Sequence, residues 1–224
     1  MPPRIGSLVP LLVLAGLLAI AIAVTTDLAA GRGVLSVDVR FGRWLQSERI
    51  PLGSAIAWFG NAAGSFLVGV PFALGVIGVL VVARRGADAL FLLGLLLARM
   101  LNGPLKDWAS SPRPPSTLLR VTESARGFGF PSGHAMGVVL LMGGLAYVAA
   151  ASLPRGWPRA IPWGIAGCVV LATGYGRIDT GAHWPTDVLG GYLWGSLILL
   201  IAIVVRRLFV TPQPAALHRP LVSE

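Results

Sequence analysis

Long stretches without a formal charge alternate along this chain with short clusters of polar residues. Ile5 to Thr26 is uncharged over 22 residues, enough for a helix to cross a hydrocarbon core of about 30 Å. Ile50 to Ala83 is uncharged over 34, but Gly53, Gly60, Asn61 and Gly64 make its first part an interfacial lead-in to the dense apolar run from Phe66. Ala89 to Leu105 is interrupted only by Arg99, and Ala135 to Ala151, Ala160 to Gly176 and Val188 to Val205 complete the series. The pattern predicts an all-α, polytopic membrane protein with six transmembrane helices, at roughly residues 6–26, 64–83, 88–105, 134–152, 160–175 and 187–205. Residues 1–210 form one membrane domain, and 211–224 read as a disordered cytoplasmic tail in which His218 is inert. The first apolar run exceeds the 7–15 residues of a secretory signal's centre, so it is read as a retained helix.

Composition narrows the class further. The chain has 224 residues, 55% hydrophobic and 12% charged, where a soluble domain carries about 25% charged residues. A single cysteine, Cys168, excludes an intrachain disulfide and a thiolate metal cluster. With the amino terminus inside, the cytoplasmic connections carry eight Lys and Arg in 39 residues against nine in 71 outside, a density that places both termini in the cytoplasm. The net charge of +9 therefore reads as topology and contact with membrane lipids, and no basic run suggests nucleic acid. Glycine pairs inside the spans, Gly143-Gly144 and Gly190-Gly191, predict close helix packing.

The informative positions in so apolar a chain are polar groups at the ends of spans. Lys106 to Pro114 leaves the third span, Phe130 to His134 enters the fourth, and Arg177 to Asp187 joins the fifth to the sixth. Six spans put all three on one side. Lys106, Arg113 and Arg177 present fixed positive charge with few carboxylates nearby, and the arginine fork suits phosphate oxygens. Ser132 and Gly133 stand where the fourth helix begins, among the free N–H groups that favour an anion. His183 and Asp187 are one helical turn apart, so the carboxylate can hold one ring nitrogen and leave the other to attack phosphorus. His134 lacks such a neighbour and suits a general acid for the leaving oxygen. The pocket offers too few carboxylates for a catalytic metal, and no Gly-Lys-Ser/Thr phosphate loop is present, so the coherent chemistry is metal-free, cofactor-free phosphoryl transfer through a phosphohistidine.

These residues resemble the three signature motifs of the type 2 phosphatidic acid phosphatase, or lipid phosphate phosphatase, superfamily: K-x(6)-R-P at Lys106 to Pro114, P-S-G-H at Pro131 to His134, and R-x(5)-H-x(3)-D at Arg177 to Asp187. The resemblance implies a six-helix enzyme of the bacterial cell membrane that dephosphorylates a lipid phosphate or diphosphate near the outer face. The substrates it suggests are undecaprenyl diphosphate, phosphatidylglycerol phosphate or phosphatidate. It assigns His183 as nucleophile, Asp187 as its orienting acid and His134 as acid for the leaving group. Lys106, Arg113, Ser132, Gly133 and Arg177 become the phosphate binders. Gly176 departs from the pattern, in which serine usually precedes the arginine. Vanadium-dependent haloperoxidases share the motifs but are largely soluble, against six hydrophobic spans. A lipid phosphotransferase using the same phosphohistidine is the alternative, and an anion transporter the remoter one.

Other polar residues receive plainer readings. Asp107, Asp179 and Glu123 are taken as solvated loop carboxylates. Trp108, Trp184 and Trp194 are taken as an interfacial belt. Arg99, seven residues before Lys106, has three open readings: a cavity beneath the phosphate site, an ion pair with Asp27, or a chain snorkelling outward.

Overall fold

The computed structural model of the chain describes residues 9–31, 34–48 and 50–209, so the expected tail, with His218, lies outside the described residues. The described residues are helical, with no strand: α1 (Val9–Gly31), α2 (Ser36–Ser47), α3 (Gly53–Gly64), α4 (Phe66–Val82), α5 (Gly86–Ala98), α6 (Asn102–Ala109), α7 (Gly133–Ala151), α8 (Ala160–Asp179) and α9 (Pro185–Phe209). A 3-10 turn at Arg99–Leu101 joins α5 to α6, and the third apolar stretch thus continues to Ala109, four residues beyond its expected end.

Three helical stretches are by themselves long and apolar enough to cross a membrane: Gly86–Ala109, Gly133–Ala151 and Pro185–Phe209. A fourth forms if α3 and α4, bent by 59° about Ser65, are taken as one broken span. The sequence pattern predicts six. The difference lies in α1, apolar from Val13 to Ala29, and in α8, where Trp163, Tyr175, Arg177 and four glycines dilute the hydropathy of a 20-residue helix. Leu17, Ile20, Leu67, Val82, Leu90 and Leu171 are more than half exposed, the outward apolar surface that lipid would cover.

At the centre stands α7, whose Ala135, Met136 and Val138 have no exposed surface. Met136 and Leu140 pack with Leu92 and Leu95 of α5 and Leu199 and Ile203 of α9. Lipid is as apolar as leucine, so this core is held by close contact between helices and needs small residues. Gly144 and Gly191 meet that need as expected. A Cβ on Gly144 would lie 2.6 Å from Leu95 Cδ1, and one on Gly191 2.6 Å from the Ser132 carbonyl.

Two features beyond the expected spans shape the end where α7 and α9 begin and α6 and α8 finish. The supposed lead-in is α3, whose buried Gly53, Ala57, Gly60 and Gly64 form a smooth stripe laid across α8. In the stretch between the first two spans lies α2, whose buried face of Asp38, Gly42 and Leu45 covers the start of α9 and the end of α8. Gln46 extends that cover by donating to the carbonyls of Arg120, Ile178 and Asp179.

Arg99 turns into the bundle at the bend. Its Nη2 donates to the Gly64 carbonyl at 2.7 Å, and its guanidinium lies 5.5 Å from the Phe66 ring centroid. A cation at the carboxyl end of α3 is favoured by the helix dipole and satisfies a carbonyl the break leaves open. It also lines a small cavity with Gly137 and Leu140 beneath the start of α7, and it makes no ion pair with Asp27 among the described residues. The snorkelling and Asp27 readings are therefore set aside.

Candidate active site

The eight residues singled out by spacing converge at one end of the bundle. Ser132 caps α7 with an extended backbone, and its N–H donates to the Asp187 carbonyl at 2.9 Å, joining the second motif to the third. Its side chain makes no capping bond, and Ser132 Oγ is fully buried with no partner. A buried hydroxyl without a partner is costly unless something else supplies one. Gly133 follows, and a Cβ there would lie 2.7 Å from Asn102 Oδ1. His134, half-buried, packs against Gly64 of α3 and has Arg177, Arg99, Arg113 and Lys106 around it.

Opposite them, His183 Nδ1 lies 3.2 Å from Asp187 Oδ2, and both residues are buried. Asp187 Oδ2 also accepts from the Trp184 N–H at 3.1 Å, which fixes the carboxylate at the first turn of α9. Arg113 Nη1 donates to His183 Nε2 at 3.1 Å. Arginine can only donate, so Nε2 carries the lone pair and Nδ1 the proton held by Asp187. Burial first, then the positive charges of Arg113, Arg177 and Lys106, push the His183 imidazole well below its ordinary 6.5.

The cations are placed by backbone carbonyls. Lys106 Nζ donates to Phe128 O at 2.6 Å, and Arg113 donates through Nε to Gly127 O at 3.0 Å and through Nη1 to Ala182 O at 2.7 Å. Gly127 has φ +74°, a left-handed turn that glycine adopts without strain and that turns this loop toward both cations. Arg177 is 1% exposed; its Nη1 donates to both Glu123 oxygens, at 2.9 and 2.8 Å, and to Asn61 Oδ1 at 3.2 Å. Its Nε is buried without a partner. Ser132 Oγ, Arg177 Nε and Asp187 Oδ1 are thus three unpartnered buried polar atoms in the site.

The order of motifs, their meeting at one end and the histidine–aspartate pair agree with the comparison of the chain with known families, where residues 88–210 match the PAP2 superfamily. This chain belongs to the PAP2 superfamily. It is accordingly a phosphatase carried on membrane helices. Phosphatidylglycerophosphatase B of Bacillus subtilis (strain 168) is 34% identical over 140 residues, which cover 62% of this chain and 67% of that protein. The crystal structure of a transmembrane PAP2-type phosphatidylglycerolphosphate phosphatase from Bacillus subtilis superposes with a TM-score of 0.75 at 25% identity, over 85% of this chain and 94% of the other. Aquifex aeolicus LpxE shares the fold, with a TM-score of 0.59 at 23% identity over 77% and 98% of the two chains.

Gly176, where PAP2 motifs usually carry serine, has a local cause in this PAP2 chain. A Cβ there would lie 2.7 Å from the Ala57 carbonyl and 2.9 Å from Asn61 Oδ1. The close crossing of α3 over α8 leaves room for hydrogen only.

Several expectations are corrected. Glu123 is not only a solvated carboxylate: with its side chain still 42% exposed, it is the partner of Arg177. Asp179 pairs with Arg120 at 3.2 Å, while Asp107 is exposed as expected. Trp184 is buried, its Nε1 donating to Pro112 O at 3.0 Å, and Trp194 packs beside Ala29, Ala109 and Phe130. Of the three tryptophans only Trp108, 66% exposed, suits a belt. Asn61, Asn102 and Asp38 were not foreseen as neighbours of the site. One signal was available: the chain has two asparagines, both at this end, and Glu123 is the sole carboxylate between Asp107 and Asp179.

Proposed function

We propose that this chain hydrolyses a lipid phosphate without a metal, through a phosphohistidine on His183. Phosphatidylglycerol phosphate is the first substrate to test, because the relatives at 34% and 25% identity are phosphatidylglycerophosphatases, ahead of phosphatidate and undecaprenyl diphosphate. The observation that carries the reading is the placement of the His183 ring, with the Asp187 carboxylate against Nδ1 and the Arg113 guanidinium against Nε2.

The chemistry follows from that arrangement. The phosphoryl group is held by Lys106, Arg113 and Arg177 together with Ser132 Oγ and the backbone N–H groups opening α7. The Nε2 lone pair attacks phosphorus while the phosphorus–oxygen bond to the lipid breaks, and His134 gives its proton to the departing oxygen. Water then attacks phosphorus and loses a proton to His134. The phosphorus–nitrogen bond breaks, its electron pair returns to Nε2, and inorganic phosphate leaves. Asp187 holds the Nδ1 proton throughout and stabilises the positive ring.

For topology the reading keeps six crossings, counting α1, the α3–α4 pair and α8 beside the three unbroken spans. Both termini are cytoplasmic and the site faces outward. The cation density of the connections supports this, as does the cluster of Arg85 and Arg206 about Asp88 at the opposite end.

The test is phosphate release by detergent-purified protein from the three lipids in the presence of EDTA, beside His183→Ala. Release that survives the chelator and disappears in H183A supports the mechanism. Release unaffected by the substitution sinks it, and phosphate passed to an alcohol or lipid acceptor instead of water identifies the transferase.

A further inference from the structure

The start of α9 lacks half of its cap. Val188 N donates to Trp184 O at 3.2 Å, so Trp184 is the cap residue, Pro185 the first helical position, Thr186 the second and Asp187 the third. In a complete capping box the cap side chain accepts an N–H of the first turn, while the third residue's carboxylate reaches back to the cap N–H. Asp187 performs the second half at 3.1 Å. An indole cannot perform the first, because it has no acceptor.

The acceptor arrives from another helix. Asp38 of α2 is 3% exposed; its Oδ1 accepts from the Thr186 N–H at 3.0 Å and its Oδ2 from Thr186 Oγ at 2.7 Å. The carboxylate stands at the positive end of the α9 dipole, 148 residues distant in sequence, and holds the residue next to Asp187. Asp187 spends one carboxylate oxygen on both the Trp184 N–H and His183 Nδ1. Any loosening of the first turn therefore moves the imidazole.

We propose that Asp38 is a positioning residue for the reaction: from α2 it completes the cap that α9's own sequence lacks, and so fixes Asp187 and the ring of His183. The inference rests on the assignment of His183 as the nucleophile. It concerns the rate of the chemical step, since Asp38 touches neither the cations nor the phosphate-facing atoms.

The experiment compares kcat, KM and thermal midpoint of Asp38→Ala, Asp38→Asn, Thr186→Val and Thr186→Ser with wild type on the lipid phosphate that wild type cleaves, with H183A alongside. D38A should lower kcat about 10- to 100-fold, the usual cost of losing an outer partner of a catalytic group, with KM within about threefold. D38N should recover most of kcat, because its carbonyl still accepts from Thr186 N–H and its amide can donate to the hydroxyl. T186V, which keeps the N–H bond and loses the hydroxyl one, should fall between, and T186S should match wild type. If D38A does not fold, T186V against T186S decides. An inactive H183A beside D38A and T186V within twofold of wild type overturns the role of Asp38 alone. D38N as poor as D38A, or a loss confined to KM, overturns it as well. An active H183A overturns the nucleophile assignment on which it stands.

Discussion

Trp184 Nε1 donates to the Pro112 carbonyl at 3.0 Å, tying the residue after His183 to the residue before Arg113 across 72 positions of sequence. The bond helps to set the distance between the segment of His183, the proposed nucleophile, and the Arg113 guanidinium that reaches its Nε2. Trp184→Phe keeps the ring and removes the donor, and because Pro112 is exposed the loss is that of one net hydrogen bond, about 0.5–1.5 kcal/mol. Arg113 should then be less well placed, and kcat/KM should fall by about 3- to 10-fold. Steady-state kinetics on W184F check this, and an unchanged kcat/KM would show that Arg113 is located by its own bonds to Gly127 and Ala182.

Restoring the family's serine should harm this enzyme. Gly176→Ser places atoms within 3 Å of the Ala57 carbonyl and of Asn61 Oδ1, and overpacking of this kind costs about 1–3 kcal/mol. Because Asn61 is also a partner of Arg177, the strain reaches an arginine proposed to hold the phosphate. A lowered thermal midpoint together with a raised KM is the expected result; a serine variant as stable and active as wild type would mean that α3 shifts without penalty.

Glu123→Gln tests the pair on Arg177. The arginine is 1% exposed and the Glu123 side chain 42%, so solvent screening reduces the pair to about 1–2 kcal/mol. Glutamine keeps one acceptor but no charge. Arg177 should become freer to wander, and KM should rise about fivefold with kcat less affected. A fall in KM would instead identify Glu123 as a competitor of the substrate's phosphate.

The buried imidazole sets the pH response. His183 is pushed well below 6.5 in the folded protein, so the unfolded chain binds a proton there that the folded chain refuses. Stability on this account is flat above 6.5 and falls as pH drops below it. Thermal midpoints of wild type and His183→Gln measured from about pH 8 to pH 5 should converge toward acid, with wild type losing more. Parallel curves would show that His183 does not titrate with unfolding. The same shift keeps Nε2 unprotonated, so the acid limb of kcat/KM from this group lies below 6.5.

Much of the site is legible in the chain because its chemistry is written in local spacing. His183 and Asp187 are four apart across the start of α9, where the carboxylate in the first turn reaches back past the cap to the ring, and Ser132 and Gly133 open a helix. What was not legible depends on approach between distant segments. The acceptors that locate Lys106 and Arg113 are carbonyls of Gly127 and Phe128, which carry no side-chain signal. Glu123 reads as a solvated carboxylate until the loop folds it onto Arg177, 54 residues away. The apolar runs likewise report length and hydropathy but not direction. Gly53, Ala57, Gly60 and Gly64 look like a weak start to a span, yet their stripe is what lets α3 cross α8 and deliver Asn61.

The contact of Arg113 Nη1 with His183 Nε2 bears on selectivity between reagents. If His183 is the nucleophile, the guanidinium hydrogen-bonded to Nε2 would shield the lone pair from a neutral electrophile. A group carrying its own negative oxygens would compete for Nη1 and uncover the nitrogen as phosphorus arrives. On the proposed mechanism, then, the charge of a substrate does more than bind it: the oxygens that recruit Arg113 also free the nitrogen that attacks.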